Sequence, residues 1–176
     1  MPRRDIVVIG ASAGGIEALG GLVRHLPADL GAAVLVVLHL APEHKSVLPR
    51  ILSSAGPMPA KHAHNGEALV PNCIYVARPD HHLLLHESHI RVIRGPRENG
   101  HRPAIDPLFR TAAYTYGPRV IGVVLSGALD DGTAGLIAIK NQGGLAVVQD
   151  PNDALVDGMP RSALENVEID HVLPVA

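Results

Sequence analysis

Asp5-Ile6-Val7-Val8-Ile9-Gly10-Ala11-Ser12-Ala13-Gly14-Gly15-Ile16 is the stretch on which the fold turns. Residues 5–9 are a short β-branched run closed by Gly10, the pattern of a strand buried on both faces. Apolar residues then fall at Ile16, Leu19, Leu22, Val23 and Leu26, a helical spacing that Pro27 stops. Strand, glycine-rich turn and helix in that order open a parallel α/β unit.

The same rhythm continues outward. Residues 32–38 (A-A-V-L-V-V-L) read as a second buried strand ending at His39. A helix is expected within 43–54, kinked or restarted near Pro49. Between Gly56 and Gly100 the grain changes, with short apolar runs among Pro, Gly, Asn and His. Strands are expected near 59–63, 73–77, 82–85 and 89–94, the last two joined as a hairpin through Glu87-Ser88. This region reads as an antiparallel excursion from the α/β core. Helix 105–116, buried strand 119–125, helix 133–141, strand 145–148, helix 159–165 and a last strand near 171–173 restore the alternation. The expected class is α/β: a doubly wound, mostly parallel sheet with a small antiparallel hairpin, in one domain over residues 1–176.

Composition narrows the function. A net charge of -2 and a pI near 6.6 argue against a nucleic-acid binder. The longest apolar run, 32–38, is far below the ~20 residues of a membrane helix. A cytoplasmic chain that is not membrane-inserted is therefore expected. One cysteine, Cys73, allows no internal disulfide and reads as a small buried hydrophobe. His62, His64, His81, His82, His86 and His89 invite a metal, but no carboxylate or Cys pattern completes a site. No metal and no cofactor are expected.

In doubly wound sheets, chemistry gathers beyond the carboxyl ends of the strands. Three strands here end in Gly10-Ala11-Ser12-Ala13-Gly14-Gly15, in His39, and in Ser126-Gly127-Ala128-Leu129-Asp130-Asp131-Gly132. A hydroxyl, an imidazole and a carboxylate on one rim are the inventory of nucleophilic acyl chemistry. An imidazole, titrating near neutrality (unperturbed value ~6.5), can take a serine proton, and a carboxylate fixes its tautomer. Amides at the start of the following helix can hold an oxyanion. Each residue also has a plainer reading. Ser12 can cap the helix or cradle a phosphate, Asp130 or Asp131 can cap the helix at Thr133, and His39 can merely close a strand.

Gly10-Ala11-Ser12-Ala13-Gly14 also fits G-x-S-x-G, but in the α/β-hydrolases the acid precedes the histidine, and here His39 comes first. A dinucleotide fingerprint would need a glycine where Ser12 stands and an acid where the second strand ends in His39.

The blocks I-G-A-S-A-G-G-I-E-A-L, L-H-L-A-P, H-R-P-A-I-D-P-L-F, V-V-L-S-G-A-L-D-D-G-T-A-G and G-M-P-R-S-A run in order from Ile9 to Ala163. In these the chain resembles the chemotaxis receptor methylesterases (protein-glutamate methylesterase and protein-glutamine deamidase). The resemblance implies a doubly wound domain with a small hairpin. It also implies Ser12 as nucleophile, His39 as base and Asp131, next to Gly132, as the orienting acid. Ala13, Gly14 and Ala128 would supply oxyanion amides. The implied reaction is hydrolysis of γ-glutamyl methyl esters on methyl-accepting chemotaxis receptors, with glutamine deamidation. His101, Arg102 and Arg161 are candidates for handling substrate, or for structural ion pairs. Ala13 stands where the family often has threonine, Leu38 where a polar residue is common, and Ala128 where methionine is usual. These changes bear on rate and substrate preference rather than on reaction class. The family's N-terminal response-regulator domain has no counterpart in this chain, so regulation is expected from a partner or separate domain. Outside the resemblance, the alternatives are a dinucleotide- or phosphate-binding module and a non-catalytic signalling adaptor.

Overall fold

The computed structural model describes residues 1–176. Its nine strands are β1 (Ile6–Ala11), β2 (Ala33–Leu38), β3 (Ala60–His62), β4 (Ile74–Val76), β5 (His82–His86), β6 (His89–Ile93), β7 (Val120–Val124), β8 (Leu145–Gln149) and β9 (His171–Leu173). The helices are α1 (Gly15–Arg24), α2 (Leu48–Ala55), α3 (Ile105–Tyr116), α4 (Thr133–Asn141) and α5 (Gly158–Asn166). Seven strands form one sheet in the order β3-β4-β2-β1-β7-β8-β9, every pair parallel. β5 and β6 form a separate antiparallel pair.

From β1 the chain lays β2 beside it, passes out to the edge strand β3, steps back to place β4 between β3 and β2, and later returns to lay β7, β8 and β9 on the other flank of β1. The order reverses beside β1, so the carboxyl ends of β1, β2 and β7 border the crevice where such sheets bind ligands. Helices cover both faces, which is why the central strands are apolar throughout rather than alternating. α1 and α2 bury Leu19, Val23, Leu48 and Leu52 on one face, against Ile9, Ala11, Val36 and Leu38. α3, α4 and α5 bury Ile105, Leu108, Phe109, Leu136 and Met159 on the other, against Val8 and Val37. The β5–β6 hairpin adds Leu83, Leu85 and Ile90 to this second core.

That alternation aims the site. Ala11 pairs with Leu38, and both face the α1 layer. Ser12 and His39, one residue on, are thereby turned to the α3 side. Gly10 lets α3 come close, since a Cβ there would lie 2.5 Å from Ile105 Cγ2.

Two expectations need correction. Pro49 neither kinks nor restarts a helix; it lies in the first turn of α2, where a missing N–H costs nothing. β3 and β4 are not part of an antiparallel excursion, because both join the main sheet in parallel and only β5 and β6 are antiparallel. α2 returns the chain to the starting end of the sheet, as a helical crossover must. Cys73 is half-buried just before β4, and burial pushes its thiol up, away from the reactive thiolate. No helix is long and apolar enough to cross a membrane.

Candidate active site

The loops after β1, β7 and β8 are stitched into one platform. The Ser12 amide donates to the Ser126 carbonyl at 2.9 Å, and the Ser126 hydroxyl donates to the Ala13 carbonyl at 2.7 Å. The Ser126 Oγ also accepts from the Val156 amide at 2.9 Å, and Gly127 N–H donates to the Val156 carbonyl at 2.9 Å. Gly14 sits at φ 75°, and a Cβ there would lie 2.7 Å from Ser126 Oγ, so both backbone sign and crowding call for glycine. Ser12 itself is half-buried, and its hydroxyl makes no hydrogen bond within the chain. It does not cap α1, whose N-cap is Gly14 with no side-chain hydrogen bond. The amides of Ala13, Gly14 and Ala128 donate to no acceptor within the chain.

His39 continues the β1–β2 ladder, its amide donating to the Ala11 carbonyl at 3.1 Å. Its Nε2 lies 2.7 Å from Asp131 Oδ2, and the two side chains are 5% and 2% exposed. An ionised carboxylate only accepts, so the proton of a neutral His39 ring resides on Nε2. His39 Nδ1 is left buried and without a partner. A buried polar atom without a partner is rare enough to ask for a role. No hydrogen bond joins Ser12 to His39 in this structure; strand geometry makes them lateral neighbours, and such contacts often tighten only with substrate.

Asp131 is held from four directions. Oδ2 accepts from His39 and from the Ile105 amide at 2.7 Å, while Oδ1 accepts from the Asp106 amide at 3.0 Å and Asn99 Nδ2 at 2.8 Å. Asp131 thus caps the start of α3 rather than its own helix α4, whose N-cap Gly132 carries no side-chain bond. Asp106, in the first turn of α3, returns the favour. Its Oδ1 accepts from the amides of Gly132 at 3.0 Å and Gly135 at 2.7 Å, at the start of α4. Asn99 Nδ2 bridges the two carboxylates, reaching Asp106 Oδ2 at 2.7 Å. Burial pushes Asp131 up, yet the His39 bond and the Ile105 and Asp106 amides hold it below the ordinary carboxylate range. Asp106 lies above that range because of burial and then the charge of Asp131.

The other expected residues divide. His101 stacks on His39, ring centroids 3.5 Å apart and 7° from parallel, and burial followed by the His39 charge lowers its pKa. Arg102 is committed to Asp80, at 2.6 and 2.8 Å, and to the Gly95 carbonyl. Arg161 pairs with Asp157 one turn earlier on the α5 surface. A cleft of about 280 Å³ opens beside His39, lined also by Leu40, Pro42, Arg97, Gly100 and His101. Arg97, absent from the sequence-based candidates, carries no ion pair, whereas Arg94, Arg102 and Arg110 nearby are all paired. Sequence reasoning also missed Asn99 and Asp106. The dipeptide Asn99-Gly100 was a legible turn signal, but nothing local links it to Asp131. Of the histidines considered for metal, His62 is bonded to the Ser46 carbonyl, His64 to Arg78 and His82 to the Pro96 carbonyl. No group of three or more His, Cys, Asp or Glu is placed to hold a metal ion.

Residues 7–176 match the family model described as CheB methylesterase. A Leptospira interrogans protein provisionally named a protein-glutamate methylesterase/protein-glutamine glutaminase is 41% identical over 170 residues, covering 96% of this chain and 88% of that protein. A Pyrococcus horikoshii protein of the same name is 35% identical across 99% of this chain, which spans 49% of its length. The crystal structure of the Thermotoga maritima CheB methylesterase catalytic domain superposes with a TM-score of 0.93 at 33% identity, covering 99% of this chain and 94% of that one.

Proposed function

This chain belongs to the CheB methylesterase family, and from that premise we propose that Ser12, His39 and Asp131 are the catalytic residues of a protein-glutamate methylesterase/protein-glutamine glutaminase. The observation that carries this is the His39–Asp131 pair with Nδ1 left buried and without a partner, on a strand end paired with the one that leads to Ser12. Asp131 fixes the imidazole proton on Nε2, so Nδ1 is the basic atom. His39 Nδ1 takes the Ser12 proton as Oγ attacks the γ-carbonyl of a glutamyl methyl ester. The resulting oxyanion is held by the free amides of Ala13, Gly14 and Ala128. The imidazolium returns its proton to the departing methoxide, releasing methanol and leaving a glutamyl ester on Ser12. Water, deprotonated by the same Nδ1, hydrolyses that ester to free glutamate and Ser12. With glutamine the leaving group is ammonia.

The substrate we infer is a chemotaxis receptor segment, met in the cytoplasm. The cleft beside His39 offers the unpaired Arg97 guanidinium to a substrate carboxylate, and a protein rich in esterifiable glutamates supplies such groups. Away from that cleft, the exposed Leu129 and Leu155 give the site an apolar border. Leu129 holds φ 66°, a costly backbone for a branched side chain and one that clusters at functional sites. Arg102 and Arg161, each already paired, are assigned to structure. Control of the site is assigned to a separate regulatory domain or protein.

Methanol release from methylated receptor is the test. Ser12→Ala is expected to lose on the order of 10³-fold or more in kcat. Wild-type release by Ser12→Ala overturns the mechanism. Turnover of other esters with no release from receptor overturns the substrate.

A further inference from the structure

One short hairpin reaches both members of the His39–Asp131 pair. Glu98 and His101 exchange backbone hydrogen bonds at 3.0 and 2.8 Å, closing a two-residue turn on Asn99 and Gly100. Both turn residues have positive φ, 52° and 78°, which Asn-Gly adopts at little cost in the type I′ turn. The base of the turn is fixed to α3 by Arg110, which meets Glu98 at 3.0 and 3.1 Å. Arg102, just beyond, ties the other strand to Asp80. The tip then presents two side chains. Asn99 donates to Asp131 Oδ1, and His101 lies flat on His39.

We propose that the Asn99–His101 hairpin tip is a two-point clamp that positions the acid through Asn99 and the base through His101. The inference rests on the triad reading above. Asp131 needs a fixed carboxylate plane, because Oδ2 must accept from His39 and the Ile105 amide together. Two backbone amides fix that plane from the α3 side, and Asn99 Nδ2 supplies the remaining donor from the opposite chain segment. His39 needs a fixed ring plane, because its two nitrogens serve different partners. Asp131 restrains the Nε2 end alone, leaving rotation about that bond. A parallel ring at 3.5 Å removes that freedom and covers one face from water. Asn99 acts on Asp131 and His101 on His39, not on the reacting atoms, so both are positioning residues. One rigid turn sets both angles, and a change at the tip therefore reaches both groups.

The test uses the whole chain and two readouts. The first is the far-downfield proton NMR resonance of the His39 Nε2–H shared with Asp131, identified by its loss in Asp131→Asn. The second is kcat and KM for methanol release. Asn99→Gly keeps the turn, since glycine accepts φ 52°, and removes only the amide. It is expected to broaden or shift the resonance and lower kcat about tenfold or more, with KM within twofold. His101→Ala is expected to do the same, and His101→Phe, which keeps a flat ring, to recover most of that loss. Circular dichroism and melting identify any variant that fails to fold, and His101→Phe against His101→Ala compares two variants with the same turn. An unmoved resonance with kcat within twofold in both Asn99→Gly and His101→Ala overturns the clamp. If Ser12→Ala stays active while the resonance still responds to the tip variants, the triad reading fails and the clamp on the pair survives.

Discussion

At the residue scale, the proposed chemistry turns on the orientation of one imidazole. Asp131→Asn is the sharp probe. Both carboxylate oxygens face N–H donors, so an asparagine must turn its NH2 group against one of them. With NH2 toward His39, Nε2 becomes the acceptor, the ring proton moves to Nδ1, and the base loses its lone pair. Loss of kcat by about 10⁴ is expected, as for other triads robbed of the correct tautomer; activity within tenfold of wild type would show that Asp131 does not set it. Arg97→Ala acts differently. An exposed guanidinium pairing with a substrate carboxylate is worth at most ~1 kcal/mol, so KM should rise roughly two- to fivefold with kcat unmoved, and added salt should shrink the difference. A KM unchanged at low salt removes Arg97 from recognition. Ser12 and His39 were legible in the sequence as candidates because each follows a strongly apolar strand. Arg97 was not, because its candidacy rests on carrying no ion pair while Arg94, Arg102 and Arg110 do.

At the scale of elements, α3 and α4 are joined through each other's caps. Asp131 precedes α4 yet binds the first amides of α3, and Asp106 belongs to α3 yet binds amides of α4. Local sequence rules read a carboxylate before Thr133 as the cap of α4, and one in the first turn of α3 as dipole compensation. Both readings place the acid at the right helix end and miss the exchange, since capping rules see only the nearest amides. The strands tell a similar story. β1, β2 and β7 were legible from their β-branched runs, and β5–β6 from its turn. The three-residue strands β3 and β4 have too few positions to carry a period, so their direction was set by the crossovers instead. Asp106→Ala leaves the buried Gly132 and Gly135 amides without acceptors, and should cost ~2–4 kcal/mol in urea unfolding. Asp106→Asn, which keeps an acceptor oxygen, should cost less. Equal losses in the two variants would mean that the bonds to α4 are not what Asp106 contributes.

For the whole molecule, the two ends of the sheet divide the labour. The proposed chemistry gathers where β1, β2 and β7 end, and electrostatic fastening where they begin. Arg119 and Asp5, which precede β7 and β1, pair at 2.8 and 3.0 Å, and Arg4 reaches the Pro118 carbonyl at 2.6 Å. The Arg119 hydrogen bond holds the Asp5 carboxyl below its ordinary range. Asp80, Asp131, Asp153 and Asp170 are also lowered, against Asp106 alone raised. A lowered carboxyl binds its proton less readily folded than unfolded. Its stabilisation is complete above the unfolded value of ~3.9 and is lost as pH falls through the folded value. Asp106 has the opposite sign: its contribution is present below its unfolded value and lost as pH rises through the folded one. With five carboxyls lowered, one raised and the buried His101 ring lowered as well, Tm should climb through the acid range and level off only above the unfolded histidine value of ~6.5. Asp5→Asn isolates one share of that climb. Asparagine cannot ionise, so the variant should melt below wild type at pH 6 and approach it as the pH falls towards 3, where Asp5 is itself neutral. Its kcat for methanol release should match wild type, because Asp5 stands at the end of β1 opposite Ser12. A Tm gap that stays constant with pH would show that Asp5 stabilises the sheet through packing and not through its charge.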